Sequence, residues 1–322
     1  MAIKKANELN FSQKKIAMLI TGRPGGRKTT TALSAPKPLL IDLEDGIDRV
    51  EACYRADTMS AEGTLIERYN TFINDITNED LSDYETIVVD TLGKLVDLIT
   101  PVVIKENAAN GQKDGKTLSL KGYGAVAAKI KDFIELVKSK GKHLIFIAHV
   151  EEFQDDDVTK VRVSIPGQTK NNIWKDIDLG GYMEFQGKKC IINFTPTTRF
   201  DAKGGHGIVG SFEVPTLKST LDGGNFEDNN FLTVLFDKYL STFQMEQELY
   251  NTNRNAYKEA MKIVPEIQDV KTVEELNEVV KKIKDVKHAL TSREELLSYV
   301  GNKAEELGAT YDKEKKCYTI AA

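Results

Sequence analysis

The chain has 322 residues, of which 40% are hydrophobic and 29% are charged, and its formal net charge is -5. This is the composition of an ordinary globular protein, long enough for one large or two smaller domains. The acidic balance excludes a global attraction to a polyanion, so any contact with nucleic acid must come from local basic loops.

Short apolar runs alternate with amphipathic stretches along the first part of the chain. The predicted strands are residues 16–20, 39–43, 86–89 and 144–148. A glycine-rich turn at 22–26 follows the first strand, and a helix opens near Lys28. Further helices are predicted at 92–106 and 126–138, where apolar residues recur at helical spacing. This alternation predicts an α/β fold with a mostly parallel central sheet and right-handed crossovers.

A hairpin and a helical region complete the predicted order. Residues 181–185 and 190–194 flank a Gln-Gly-Lys turn, which predicts an antiparallel hairpin that extends the sheet. From about Phe243 the sequence is charged and helical in pattern. We therefore predict an α/β domain at 1–240 and a charged, helical C-terminal appendage at 241–322.

Two capping boxes and one apolar stripe support the helical prediction for the C-terminal region. Thr272 and Ser292 are each followed three residues later by glutamate. The stripe comprises Leu276, Val279, Ile283, Val286 and Leu290. Such a stripe ordinarily packs on its own hairpin or on a neighbour, and the alternative is a partner-binding module.

The turn after the first strand matches most of the phosphate-loop motif G-x-x-x-x-G-K-[ST]. Its expected phosphate-binding residues are Gly22, Arg23, Pro24, Gly25, Gly26, Arg27, Lys28, Thr29 and Thr30. Lys28 is expected to contact the outer phosphates of ATP, and the Thr29 hydroxyl to coordinate Mg²⁺. Arg27 replaces the motif glycine, and this extra cation either helps to hold the phosphates or crowds the loop.

Three polar residues at the ends of later strands complete a candidate catalytic site, since ligands collect at the carboxyl ends of parallel strands. Asp90 is the expected carboxylate of the magnesium site, and its ordinary role would be a turn residue or helix cap. Glu44 is placed to align the attacking water, its alternative being a solvated loop carboxylate. His149 can donate to the terminal phosphate, although a lone histidine is usually structural.

In their order and separations, these motifs resemble the RecA family of recombination ATPases. The similarity is to the compact RecA-like P-loop NTPases of bacteriophages that assist single-strand annealing, and Asp42-x-Glu44 after the second strand is its most discriminating part. The resemblance implies that Glu44 is the catalytic glutamate and that Asp90 belongs to the magnesium site. His149 takes the place of the family's glutamine switch, which is a departure from the pattern.

The resemblance also implies contacts with DNA and with a neighbouring subunit. The expected DNA-binding residues are Lys113, Lys116, Lys121 and Tyr123 in a first, glycine-rich loop, and Lys160, Arg162 and Lys170 near a second. Cations can neutralise phosphates and Tyr123 can stack on a base, although lysine-bearing loops are usually solvated surface. Arg199 and Lys203 are expected to reach the nucleotide of a neighbouring copy, or else to lie in an exposed turn.

Together these features predict a magnesium-dependent ATPase that acts on single-stranded DNA as a homo-oligomer or filament. A recombination partner is expected to bind the C-terminal helices. The first alternative is a nucleotide-gated protein-binding scaffold with negligible turnover, which Arg27 and the charged tail favour. The second is a small-molecule kinase, because phosphate loops serve many chemistries.

The cellular setting follows from the termini and the cysteines. Residues 1–10 are polar, and no stretch of the sequence is apolar enough to span a bilayer. The three cysteines are widely spaced and form no C-x-x-C pair, and with the histidines they show no metal-ligand spacing. We expect a reducing cytoplasm, that of the bacterial host for a phage protein, and no membrane partner.

Overall fold

The computed structural model describes residues 14–44, 55–56, 63–155, 157–167, 169–218, 223–225 and 228–320. The polar segment 1–10, to which the localisation prediction refers, lies outside these ranges. The described residues up to Thr242 form one compact unit, and those from Phe243 form another. Among the described residues, no helix is long and apolar enough to cross a membrane.

A mixed sheet forms the centre of the first unit. Its strands are β1 (Ala17–Gly22), β2 (Pro38–Asp42), β3 (Arg55–Ala56), β4 (Thr86–Asp90), β5 (His143–Asp155), β6 (Val158–Val163), β7 (Leu179–Gln186), β8 (Lys189–Asn193) and β9 (Ser211–Val214). They are ordered β3-β2-β4-β5-β1-β7-β8-β9, and β6 pairs with β5. The strands from β3 to β7 in this order are parallel, whereas β8, β9 and β6 pair antiparallel.

Helices connect and cover these strands. They are α1 (Lys28–Ala32), α2 (Leu65–Asn78), α3 (Leu92–Glu106), α4 (Leu120–Ser139), α5 (Thr169–Asp176) and the long α6 (Phe231–Met261). The remaining elements are α7 (Val264–Asp269), α8 (Val273–Asp285), α9 (Ser292–Glu306), β10 (Ala309–Asp312) and β11 (Cys317–Ile320). A mostly parallel central sheet with a helical C-terminal region confirms the predicted fold class.

The sheet buries a different hydrophobic core on each face, because successive strand residues point to opposite sides. On one face Leu19, Val89 and Phe146 belong to a core shared with α2, α3 and α4. On the other face Val88 and Ile147 belong to a core shared with α1 and the first turns of α6. The side chains at 90 and 149 follow this second alternation and therefore lie on the α1 side.

Among the predicted elements of the first unit, α4 and β5 extend farthest beyond their predicted bounds. Helix α4 begins at Leu120 because the Ser119 hydroxyl accepts a hydrogen bond from the Gly122 N–H, and the glycines at 122 and 124 hid this start from the sequence pattern. Strand β5 continues to Asp155 because its polar second half pairs with β6. Pairing with another strand, rather than an apolar run, defines that extension.

The C-terminal unit confirms one predicted cap and corrects the other. The capping box between Thr272 and Glu275 is present at the start of α8. The box predicted at Ser292 is wrong, because Ser292 lies inside α9 and its Oγ accepts from the Ala289 N–H at 3.1 Å. Leu290 does not belong to the predicted apolar stripe, because α8 ends at Asp285. The Leu290 side chain is exposed, and its backbone φ is 54°.

A short hairpin was not predicted in this unit. Strands β10 and β11 pair antiparallel, and the intervening turn is held by Asp312, whose Oδ1 accepts from the N–H groups of Glu314 and Lys315. The flanking threonines and tyrosines favour strand over helix. The C-terminal region is thus helical with a terminal hairpin.

Acid should destabilise the fold through His143, at the start of β5. The side chain is 4% exposed, and its Nδ1 accepts a hydrogen bond from the Ile16 N–H at 3.0 Å. Burial lowers its pKa from 6.5 to about 4, and the charge of Lys15 acts in the same direction. The His143 side chain binds a proton more readily in the unfolded chain than in the folded one, so acid favours unfolding. The free energy of unfolding therefore keeps its full value above the unfolded pKa of 6.5 and decreases as pH falls towards 4. The expected loss is about 3 kcal/mol.

Urea unfolding between neutral and acidic pH measures this effect. The His143→Asn variant keeps an acceptor near the Nδ1 position and cannot titrate, so its unfolding free energy should fall less steeply with acid than that of the unmodified chain. The comparison removes the contribution of carboxylates, which both proteins share. An equal acid dependence in the two proteins would contradict the assignment to His143.

Candidate nucleotide site

Strand β1 delivers a tight loop to the carboxyl edge of the sheet. Gly22 ends the strand next to Met183 of β7, and a Cβ at Gly22 would lie 2.7 Å from the Met183 carbonyl oxygen. Only glycine fits that approach without a backbone shift. The chain then passes through Gly25, at φ 73, and enters α1 at Lys28.

Arg27 occupies the left-handed backbone region at the N-cap of α1, with φ 60 and ψ 22. A residue with a Cβ costs roughly 1–2 kcal/mol in this conformation. A glycine at this position, as in the motif, would avoid that backbone strain. The Arg27 guanidinium carbon lies 5.8 Å from the centroid of the Phe185 ring. Arg23, earlier in the loop, forms an ion pair with Glu152 on β5. The loop is thus tied to the strands on both sides of it.

Lys28 points into the centre of the site. It is 6% exposed, its Nζ donates to the Arg23 carbonyl oxygen at 2.9 Å, and the same Nζ lies 3.4 Å from His149 Nδ1. Burial lowers the pKa of Lys28, while the nearby charges of Asp90 and Glu44 partly offset that effect. The ammonium group therefore lies between the loop, the end of β4 and the middle of β5.

Thr29 and Asp90 form the second contact across the site. The Thr29 hydroxyl donates to Asp90 Oδ2 at 2.6 Å. Burial raises the pKa of Asp90, and the hydrogen bond from Thr29 acts in the opposite direction. A hydroxyl and a carboxylate are hard oxygen ligands, and Mg²⁺ is typically held by one or two protein oxygens together with water and substrate phosphates. The donor set fits Mg²⁺, which when bound would neutralise charge on phosphate oxygens.

Within the described ranges, no group of three His, Cys, Asp or Glu side chains is placed to hold a metal ion.

Glu44 faces the same centre from beyond β2. Its backbone N–H donates to Asp42 Oδ1 at 3.0 Å, and its Oε1 accepts from the Thr91 hydroxyl at 2.9 Å. His149 Nε2 lies 3.4 Å from Glu44 Oε1. Because an ammonium can only donate, Lys28 makes His149 Nδ1 the acceptor, and Nε2 then carries the proton shared with Glu44. A cleft of about 190 Å³ adjoins these groups and is also lined by Ser164.

Comparison with known proteins gives the family. The family model of the AAA domain matches residues 14–206, which is more than half of the chain. The chain belongs to the AAA domain family. The match includes the loop and every strand end described above, and the AAA domain is a P-loop NTPase domain, so nucleotide binding is assigned to this region. No curated protein matches the chain.

The two predicted trans-acting cations lie late in the AAA domain. The Lys203 Nζ donates to the carbonyl oxygens of Trp174 at 2.9 Å and Ile177 at 2.6 Å, at the carboxyl end of α5. A cation at a helix carboxyl end is a common stabilising contact, and it gives Lys203 a structural role within its own chain. Arg199 is exposed, and its carbonyl oxygen accepts from the Val161 N–H at 2.7 Å.

The first predicted DNA loop is partly helical. Lys113 and Lys116 are exposed before α4, as expected for a loop. Lys121 and Tyr123 instead lie in the first turn of α4, because the Ser119 cap starts the helix there. Tyr123 packs against the core and so closely against Gly167 that a Cβ at Gly167 would lie 2.3 Å from its ring. The local prediction of a loop is wrong for these two residues.

The cations near the second predicted loop have acidic neighbours. Lys160 and Arg162 lie on β6, where Lys160 pairs with Asp155 and Arg162 Nε donates to Glu151 Oε1 at 2.6 Å. Lys170 is half-buried on α5. The β5–β6 hairpin thus balances much of its own positive charge.

Sequence reasoning missed two side chains at the site. Thr91 directly follows Asp90, and its hydroxyl both caps α3 and donates to Glu44. In the sequence, Thr91 is recognisable only as the residue before the start of α3. Phe185 lies in the predicted hairpin, and nothing in the sequence there indicates that its ring is close to Arg27 in the structure. Both are brought to the site by strand order.

Proposed function

We propose that this chain is a magnesium-dependent ATPase that acts on single-stranded DNA in phage-type recombination or strand annealing, as a homo-oligomer. The observation that carries the ATPase part is the Thr29–Asp90 hydrogen bond of 2.6 Å, made beside the buried ammonium of Lys28. It joins the phosphate loop to the carboxylate of β4, which is the pairing that magnesium-nucleotide binding requires.

The residues have separate roles in this proposal. Lys28 holds the outer phosphates, and Thr29 with Asp90 would hold Mg²⁺. Glu44 accepts a hydrogen bond from the attacking water and aligns it with the terminal phosphorus. His149 contacts both Lys28 and Glu44, so it can respond when the terminal phosphate is lost.

The DNA part of the proposal depends on exposed cations outside this centre. Lys113 and Lys116 extend from the segment before α4, and each cation that neutralises a phosphate releases a counterion. Arg199, exposed after β8, is the cation that would reach a neighbouring copy and support transition-state charge there. A recombination partner would bind the C-terminal unit.

ATP turnover with and without single-stranded DNA tests this proposal. We expect magnesium-dependent hydrolysis that DNA stimulates, and we expect DNA binding to weaken with salt. The double variant Lys113→Gln/Lys116→Gln should flatten the salt dependence by about 1.4 in log–log slope, since each phosphate contact on a single strand contributes about 0.7. The matched control Lys313→Gln/Lys316→Gln removes two exposed lysines from the C-terminal unit and should leave the slope unchanged.

Two outcomes contradict the DNA part: equal slopes in the two double variants, or turnover that is indifferent to DNA. Sedimentation velocity of the same samples reports whether nucleotide and DNA drive assembly. Persistence of a monomer under all conditions would exclude the oligomeric part.

A nucleotide-gated protein-binding scaffold is the second candidate. The observation in its favour is that Glu44 is already bonded to Thr91 and close to His149, so its carboxylate is held by protein groups. Trace turnover, no response to DNA and intact ATP binding would select this function over the first.

A further inference from the structure

The strand order indicates which end of a bound nucleotide would lie on each side of β1. The groups expected around the terminal phosphate belong to β4, β5 and the segment after β2, which all lie on one side of β1 in the sheet. Strand β7 lies on the other side of β1. A nucleoside triphosphate is a linear chain of base, ribose and phosphates. A nucleotide whose terminal phosphate faces Glu44 and His149, and whose phosphate chain crosses the loop, has its base on the β7 side.

An exposed aromatic side chain lies at that end. Gly22 is in register with Met183 of β7, so Phe185 is two residues farther along the strand, just above the loop. Met183 and Phe185 share a face by strand alternation, and Met183 is buried in the core that contains α1. Phe185 is therefore on the α1 side of the sheet, where Lys28 and Thr29 also lie.

The surroundings of Phe185 distinguish it from an ordinary exposed apolar residue. It is 47% exposed, whereas its cross-strand partner Cys190 is buried. The Arg27 guanidinium carbon lies 5.8 Å from the ring centroid. Arg27 belongs to the phosphate loop, so this contact places the ring beside that loop. A partly open ring bordered by a cation is a surface on which a flat, polarisable base can stack.

We propose that Phe185 is the platform on which the base of the bound nucleotide stacks, with Arg27 at its border. This inference rests on the proposed nucleotide-binding function and adds the base-recognition residue to it. It also gives Arg27 a role that a glycine could not fill. Stacking favours the larger ring system of a purine, so the site prefers purine to pyrimidine nucleoside triphosphates.

Binding of ATP and of inorganic tripolyphosphate, compared by calorimetry in the presence of Mg²⁺, tests the assignment. Phe185→Ala should weaken ATP binding about tenfold or more, the range for loss of one base–aromatic stack. Its affinity for tripolyphosphate should stay within about twofold, because that ligand has no base. Phe185→Trp should restore ATP binding, and Tyr250→Ala, an exposed aromatic in the C-terminal unit, is the matched control.

The outcomes separate this inference from the function on which it rests. Unchanged ATP affinity in Phe185→Ala, or equal losses for ATP and tripolyphosphate, overturns the platform. An unmodified chain that binds neither ligand overturns the nucleotide site itself. Retention of the purine preference in Phe185→Ala would also show that another group reads the base.

Discussion

Replacement of Lys28 by alanine should reduce the affinity for ATP by about 10²- to 10³-fold, which is the loss of two charge-assisted hydrogen bonds to phosphate oxygens. Lys28 is a buried cation, with its Nζ near both the Arg23 carbonyl oxygen and His149. Burial lowers its pKa, because removal from water costs free energy for the charged form. Phosphate oxygens would offset that cost.

Calorimetric titration with ATP and Mg²⁺ measures this loss. Lys131→Ala removes an exposed lysine from α4 and should bind ATP as the unmodified chain does. Circular dichroism is needed alongside, because truncating a buried side chain can also lower stability. A folded Lys28→Ala protein with normal ATP affinity would remove the basis for the phosphate-loop assignment.

Replacement of Glu44 by glutamine should lower kcat for ATP hydrolysis by about 10²- to 10⁴-fold, the usual contribution of a positioned general base. The amide has the same shape and its oxygen can still accept from Thr91, so ATP affinity should change little. The effect should therefore fall on kcat rather than on nucleotide binding. This division distinguishes Glu44 from Lys28, whose loss acts on binding.

A steady-state phosphate-release assay, with ATP binding measured on the same protein, reports both quantities. Glu213→Gln neutralises an exposed carboxylate on β9 that pairs with Lys189, and it serves as the charge-matched control. If kcat in Glu44→Gln equals that of the control, Glu44 does not align the water. In that case the carboxylate would hold His149, and the scaffold function would gain support.

Short apolar runs and the polar residues that follow them were sufficient to predict four parallel strands and the sheet edge at which the candidate site lies. The largely apolar runs that became β1, β2, β4 and β5 lie in the buried core, and a polar side chain follows each of them. Parallel strands place those ends at one edge, so Lys28, Thr29, Asp90 and His149 were predicted together. Their distances in the structure are consistent with that grouping, and their catalytic roles stay predictions.

Local sequence was a weaker guide where a distant group forms the contact. Lys203 has the charge of a trans-acting residue, yet the carbonyl oxygens at the end of α5 bind its ammonium group. Tyr123 was expected in a flexible loop, but the Ser119 cap and the packing against Gly167 place it on α4. The contacts of Lys203 with α5 and of Tyr123 with Gly167 join residues far apart in the sequence, so periodicity contains no trace of them. The Ser119 cap is local, and the glycines at 122 and 124 hid it.

The sequence by itself determined the α/β class, the phosphate loop and the polar strand ends, because these depend on residue type and short-range spacing. Only the tertiary structure decided which side chains meet around the loop: Thr91 with Glu44, His149 between Glu44 and Lys28, and Arg27 beside Phe185. The physical reason is the strand order, which sets β5 and β7 on opposite sides of β1. Such neighbours are fixed by hydrogen bonding between strands that are distant in the chain, and by the packing of each face.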